Sequence, residues 1–157
     1  MKSLKKHALV ICILLLNTSF LRAQDFSGTW ILDHSKSDAA FRDYEVTVVI
    51  TQTAQTFTVE QTLLMKGGEK SVMSATTYYL DGKEVVKEEQ GGKNKLSAIW
   101  SPDKKSLTIK FVRSMEGNDY GSLTVYNLSD NGSILTVKSS DLTGESPMVQ
   151  TYNKKQV

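Results

Sequence analysis

The sequence predicts an all-β domain, an antiparallel up-and-down barrel of about eight to ten strands. Three observations carry that expectation. Apolar side chains recur at every second position, turn-forming clusters separate the apolar runs, and the composition favours Thr, Val, Ile and Tyr in those runs. A two-sheet sandwich satisfies the same pattern, but a chain of short consecutive connections suits a meander closed on itself better than Greek-key crossovers.

The chain opens with a leader, which must be set aside before the fold is read. Lys2, Lys5 and Lys6 precede an apolar run from Ala8 to Leu16. That run is about nine residues long, the length of a signal-peptide core. A membrane span needs roughly 20. Leu21-Arg22-Ala23 offers a cleavage site before Gln24, so the reading is a signal peptide over 1–23 and one domain over 24–157, exported to a periplasm or secreted, with no stable membrane span after cleavage.

Removing the leader changes the chemistry on offer. The lone Cys12 leaves with it, which excludes disulfides, thiolate metal sites and a cysteine nucleophile from the mature domain. The whole chain has 19 Lys and Arg against 17 Asp and Glu; without Lys2, Lys5, Lys6 and Arg22 the balance is 15 against 17. A mixed-charge surface of net −2 offers no basic block for nucleic acid. A domain of this length without disulfides must be held by its core.

The strands follow in order. Gly28 to Asp33 begins the sheet. Glu45 to Thr53 places Val46, Val48 and Ile50 on one face. Thr56 to Leu64 places Phe57, Val59 and Leu63 on one face and Thr58, Glu60 and Thr62 on the other. Tyr78 and Tyr79 point to opposite faces. Leu107, Ile109 and Phe111 alternate with Thr108 and Lys110, and Leu123 and Val125 alternate with Thr124 and Tyr126. Between the runs lie Lys66-Gly67-Gly68-Glu69, Asp81-Gly82-Lys83, Gly91-Gly92-Lys93, Ser101-Pro102-Asp103-Lys104, Glu116-Gly117-Asn118-Asp119 and Asp130-Asn131-Gly132, all turn formers. Ser35 to Arg42 is the one stretch with a helical option, capped by Ser37 or Asp38.

Phe26-Ser27-Gly28-Thr29-Trp30 stands directly behind the leader. With its Gly-x-Trp opening of the first strand, the sequence resembles the lipocalin (calycin) group. With Ile31-Leu32-Asp33 and Lys36-Ser37-Asp38 added, it looks like small exported bacterial lipocalin-like proteins. The resemblance implies a barrel whose Trp30 packs under a closed end and whose open end binds a small apolar molecule. Gly28 and Trp30 carry over as a structural signature. Asn118-Asp119-Tyr120 is a loose echo of the group's Thr-Asp-Tyr motif, and the group's late arginine and C-terminal helix have no obvious match.

No catalytic residue, metal site or cofactor site is read from the residues. His34 is the one histidine of the mature domain, and Asp33-His34-Ser35 is three triad types in a row rather than three that converge. Zinc would need three or four ligands. Glu88 and Glu89 are adjacent on a strand and face opposite sides. The expected function is therefore non-catalytic binding, with Val48, Phe57, Tyr78, Trp100, Phe111 and Val125 as the inward-facing candidates for a small apolar ligand. The alternative is a filled barrel that acts as a structural or interaction protein, contacting another exported protein or a polysaccharide through its outer faces.

Overall fold

The computed structural model describes residues 22–156, apart from 66, 69, 73, 74 and 90. The leader reading falls almost wholly on residues outside this range. Eleven strands form one antiparallel sheet: β1 Gly28–Leu32, β2 Tyr44–Gln52, β3 Thr56–Met65, β4 Lys70–Val72, β5 Thr76–Tyr79, β6 Val85–Glu89, β7 Gly92–Trp100, β8 Ser106–Met115, β9 Asn118–Leu128, β10 Ile134–Asp141 and β11 Met148–Lys154. The architecture is the expected up-and-down one. The count exceeds ten because β4 and β5 are both short and lie one after the other along β3.

Chain neighbours pair from β1 to β4 and from β6 to β11, β5 pairs with β3, and β1 joins β2 on one side and β11 on the other. That junction of first and last strands curls the meander and removes two edges. The remaining edges are the short β4 and β5, both along β3, and β6; β5 and β6 are not paired with each other.

Register fixes which side chains are inside. Trp30 stands opposite Val48 on β2 and Lys154 on β11, and Ile50 opposite Val59. Leu107 stands opposite Tyr126, which stands opposite Val137. Trp30, Val48, Ile50, Leu107, Tyr126 and Val137, with Phe57, Ala98, Ile109, Leu135 and Tyr152, belong to one buried cluster. On β9 the sequence expectation is corrected. Val125 lies opposite Thr108 and Lys138, so it is on the outer face, and Tyr126 takes the inner place. Alternation makes the choice all or none: a slip of one residue would reverse every side chain of the strand.

Turn chemistry closes the hairpins through local acceptors. The Asp103 carboxylate accepts from Lys105 N, and the Asn131 carbonyl from Ser133 N. Asp141 accepts from Thr143 N and Glu145 N. Short polar side chains that mimic a backbone turn explain why these clusters punctuate the sequence.

The ambiguous stretch after β1 forms two 3-10 turns, His34–Lys36 and Ala39–Phe41. Asp33 caps the first. Asp38, offered above as a cap, makes no cap bond and accepts instead from Val149 N. Ser37 likewise binds β11, through Thr151. The segment thus runs alongside β11, and His34 is exposed.

Asp33 also yields a pH prediction. Bonds from the Ser35 hydroxyl and from Asn153, with Lys36 nearby, hold its carboxyl down to about 2 from an ordinary 3.8. Between those values the unfolded chain binds more protons than the folded one. Stability from this group is therefore complete above about 3.8 and is lost as pH falls toward 2. Melting temperature followed over that window should fall less steeply in Asp33→Asn than in the parent; equal slopes would exclude the role.

Candidate functional site: the barrel interior and its wall cleft

One end of the barrel is a floor of aromatic rings. The segment before β1 crosses this end and is pinned there. Gln24 N donates to Lys104 O, Phe26 N to the Gln52 side chain, and Gln52 N to Ser27 Oγ. These bonds drive Phe26 inward, where it is fully buried. Its ring stacks on Trp100 at 5.8 Å and meets Phe57 edge-on at 5.9 Å. Offset and edge-on pairs at such spacings are the favoured geometries for π-systems.

Trp30 is fully buried beneath the same end, and its Nε1 donates to Phe26 O at 3.0 Å. The Lys154 ammonium sits 5.2 Å from the Trp30 ring centroid, a cation–π distance. A late cation thus does meet the signature tryptophan, supplied by a lysine of the last strand. Gly28 makes room for it. Its φ is +146°, and a Cβ there would lie 2.8 Å from Lys154 Cε. Gly28→Ala should cost about 2 kcal/mol, mainly as backbone strain. Thermal unfolding of that variant checks the value, and unchanged stability would refute it.

The opposite half of the interior is less apolar. Gln61, Thr124, Ser139 and Gln150 share the inner face with the core residues by register. Tyr44 and Phe41 pack against the core from the start of β2 and the turn before it.

The wall opens where β5 and β6 fail to pair. A cleft of about 390 Å³ lies there, lined by Thr76 and Tyr78 from β5, Val85 and Lys87 from β6, and Leu96 from β7. Register puts all five on the inner face, since Tyr78 stands opposite Phe57 and Leu96 opposite Val85 and Phe111. Thr77, Tyr79 and Ser97, of the opposite parity, also line it, so the cleft runs through the gap in the wall and is open to the outer surface. Its volume is within the range of small-molecule sites, about 300–1,000 Å³.

A second hollow of about 380 Å³ lies outside the aromatic floor, against Trp100, Leu80 and Gln52. Arg22 and Ala23 form part of it. Both precede the expected cleavage point, and Phe26 separates this hollow from the interior.

The sequence-derived candidates separate accordingly. Tyr78 lines the wall cleft, and Phe111 is half-buried beside it, opposite Leu96. Val48 and Phe57 are buried in the core. Trp100 faces inward, but it belongs to the floor and borders the outer hollow. Val125 is outside. Thr76, Val85, Leu96 and Tyr126 were not among the candidates. For Tyr126 the signal was present in the next strand: Leu135 and Val137 are strong core residues, and the Asp130-Asn131-Gly132 turn sets Tyr126 opposite Val137.

Burial raises the phenol pKa values of Tyr78, Tyr126 and Tyr152, so the interior tyrosines are neutral donors at physiological pH. Among the described residues there is no group of three or more His, Asp or Glu that could hold a metal ion, and no helix is long and apolar enough to cross a membrane.

No family model matches the chain, and no curated protein matches it. Solved structures do. Human cRBP IV is similar at 19% identity over 84% of this chain and 99% of that one, with a TM-score of 0.55. A REP1-NXSQ fatty acid transporter is similar at 11% identity over 85% of this chain and 98% of that one, also at 0.55. Secretory abundant heat soluble protein 4 from Ramazzottius varieornatus is similar at 12% identity over 83% of this chain and 95% of that one, again at 0.55. Identities this low speak to fold and leave function to the site. The chain has the lipocalin-like antiparallel up-and-down β-barrel fold that these structures share.

Proposed function

We propose that this chain is an exported, non-catalytic binding protein that takes a small, mostly apolar molecule into its barrel through the cleft between β5 and β6. The observation that carries this reading is the cleft itself, which lies between the unpaired β5 and β6 and is lined in part by the inward-facing Thr76, Tyr78, Val85, Lys87 and Leu96. The fold likeness to a protein named a fatty acid transporter supports it. The driving force is removal of apolar ligand surface from water, worth about 25 cal/mol per Å². Thr76, Tyr78 and Lys87 supply the polar contacts that orient the molecule.

The test is titration of the purified protein with N-phenyl-1-naphthylamine, an uncharged probe that fluoresces when it leaves water. Saturable enhancement is expected. Leu96→Trp fills the cleft and should weaken the probe about tenfold or more while the variant still melts cooperatively. Absence of saturable binding by the probe, or a Leu96→Trp variant that binds as well as the parent, would overturn the reading.

A further inference from the structure

Two hairpin turns of the sheet are built on one pattern. In Ser101–Ser106, between β7 and β8, Ser101 N donates to Ser106 O at 2.9 Å, Lys104 N to Ser101 O at 2.9 Å and Ser106 N to Ser101 Oγ at 3.0 Å. In Ser129–Ile134, between β9 and β10, Ser129 N donates to Ile134 O at 2.9 Å, Gly132 N to Ser129 O at 2.8 Å and Ile134 N to Ser129 Oγ at 3.0 Å. The fourth residue has a positive φ in both turns, 58° at Lys104 and 67° at Gly132. The third residue accepts from the donors that remain, and here the chemistry differs. In the first turn it is a carboxylate: Asp103 accepts from Ser101 Oγ and Lys105 N. In the second it is an amide: Asn131 Oδ1 accepts from Ser129 Oγ at 2.7 Å, Ser133 Oγ at 2.8 Å and Ser133 N at 3.1 Å. The Asn131 amide nitrogen takes no part in these bonds.

Asn131-Gly132 is also the one Asn-Gly pair of the sequence. Glycine has no Cβ to shield its nitrogen, so Gly132 N can approach the carbonyl carbon of the Asn131 side chain. The folded turn opposes that approach. The bond to Ser129 O occupies the Gly132 N–H, and three donors hold Asn131 Oδ1 in place. Attack therefore requires the turn to open. Asn131 is exposed, and exposed turns open locally at little cost.

We propose that Asn131 is a deamidation site: it converts to aspartate when the turn opens, and the product closes into the same turn in the manner of Asp103. Gly132 N forms a bond to Asn131 Cγ, the Cγ–Nδ2 bond breaks, and the Gly132 proton leaves with ammonia. Water then opens the cyclic imide. Breaking the new Cγ–N bond gives aspartate on an unaltered backbone. Breaking the other C–N bond gives isoaspartate, which adds a carbon to the backbone and cannot repeat the geometry of Asp103. In the aspartate form all three bonds to Oδ1 are retained, now to an ionised acceptor. Asp130 beside it is a like charge and offsets part of this gain.

The experiment incubates the purified protein at mildly alkaline pH, folded in buffer and unfolded in guanidinium chloride, and follows residue 131 by ion-exchange chromatography and peptide mapping. In guanidinium the acidic form should accumulate at Asn131. In the folded protein it should accumulate at least about tenfold more slowly. Ser129→Ala removes one donor to Asn131 and the acceptor of Ile134 N, so it should speed the folded reaction about fivefold or more. Ser101→Ala, the same change in the other turn, should leave the rate at Asn131 as in the parent. Asn131→Asp should melt no lower than the parent. Equal rates in folded and unfolded protein, no conversion at Asn131 in guanidinium, equal effects of the two serine variants, or an Asn131→Asp protein that melts clearly below the parent would each overturn the proposal.

Discussion

Phe26→Ala should lower stability by about 3–5 kcal/mol, the cost of removing a fully buried aromatic ring and leaving a cavity. For a domain of this size that is a fall in melting temperature of about 10–20 °C. The reason lies in what Phe26 joins. Its ring touches Trp100, Phe57 and Tyr126, which come from three different strands, and its carbonyl holds the Trp30 indole. Little can collapse into the space, because the backbone on either side is tied to Lys104 and to Gln52. Phe26→Leu should recover about half of the loss, since a branched aliphatic side chain refills part of the volume. A loss under about 1 kcal/mol in Phe26→Ala, measured by denaturant unfolding, would show that the floor is not closed by this ring.

The second large effect is expected at Gly121. This residue sits on β9 opposite Val112, where the two strands come unusually close. A Cβ at Gly121 would lie 2.0 Å from the Phe111 carbonyl oxygen and 3.0 Å from Val112 Cα. These are backbone atoms, so the contact is relieved only by parting β8 from β9. Gly121→Ala should cost about 3 kcal/mol, at the upper end for overpacking. It should also weaken N-phenyl-1-naphthylamine binding, because displacing Phe111 disturbs Leu96 across the ladder. An alanine variant that melts with the parent and binds the probe equally would contradict both expectations.

Much of the fold was legible in the residues. Period-two alternation placed Val46, Val48, Ile50, Phe57 and Tyr78 on the correct face, and the turn clusters marked most hairpins. The Gly-x-Trp opening pointed to the barrel type, and its physical basis is now visible in Gly28, Trp30 and Lys154. The face of β9 was misread for a definite reason. Leu123 and Val125 are more apolar than Thr124 and Tyr126, and hydropathy alone selects the former pair. Register is set instead by the hairpin to β10, where Leu135 and Val137 must be buried, and that requirement outweighs the preference of one strand.

The site was less legible than the sheet. Which strands fail to pair is a property of closure, and nothing local to Thr76, Val85 or Leu96 marks them as the lips of a gap. Trp100 shows the converse. It satisfies every local criterion for an inward aromatic, yet Phe26, delivered from outside the sheet by the pre-strand segment, converts its neighbourhood from pocket to floor.

A ligand lodged inside the barrel beside the β5–β6 gap must perturb the backbone amides around it. The most direct test is a two-dimensional amide NMR titration of the protein with decan-1-ol. The largest shifts should fall on Thr76–Tyr79, Val85–Lys87 and Leu96. Shifts confined to Leu80, Trp100 and Gln52 at the outer hollow, or spread over outer-face residues such as Thr108 and Val125, would contradict this placement.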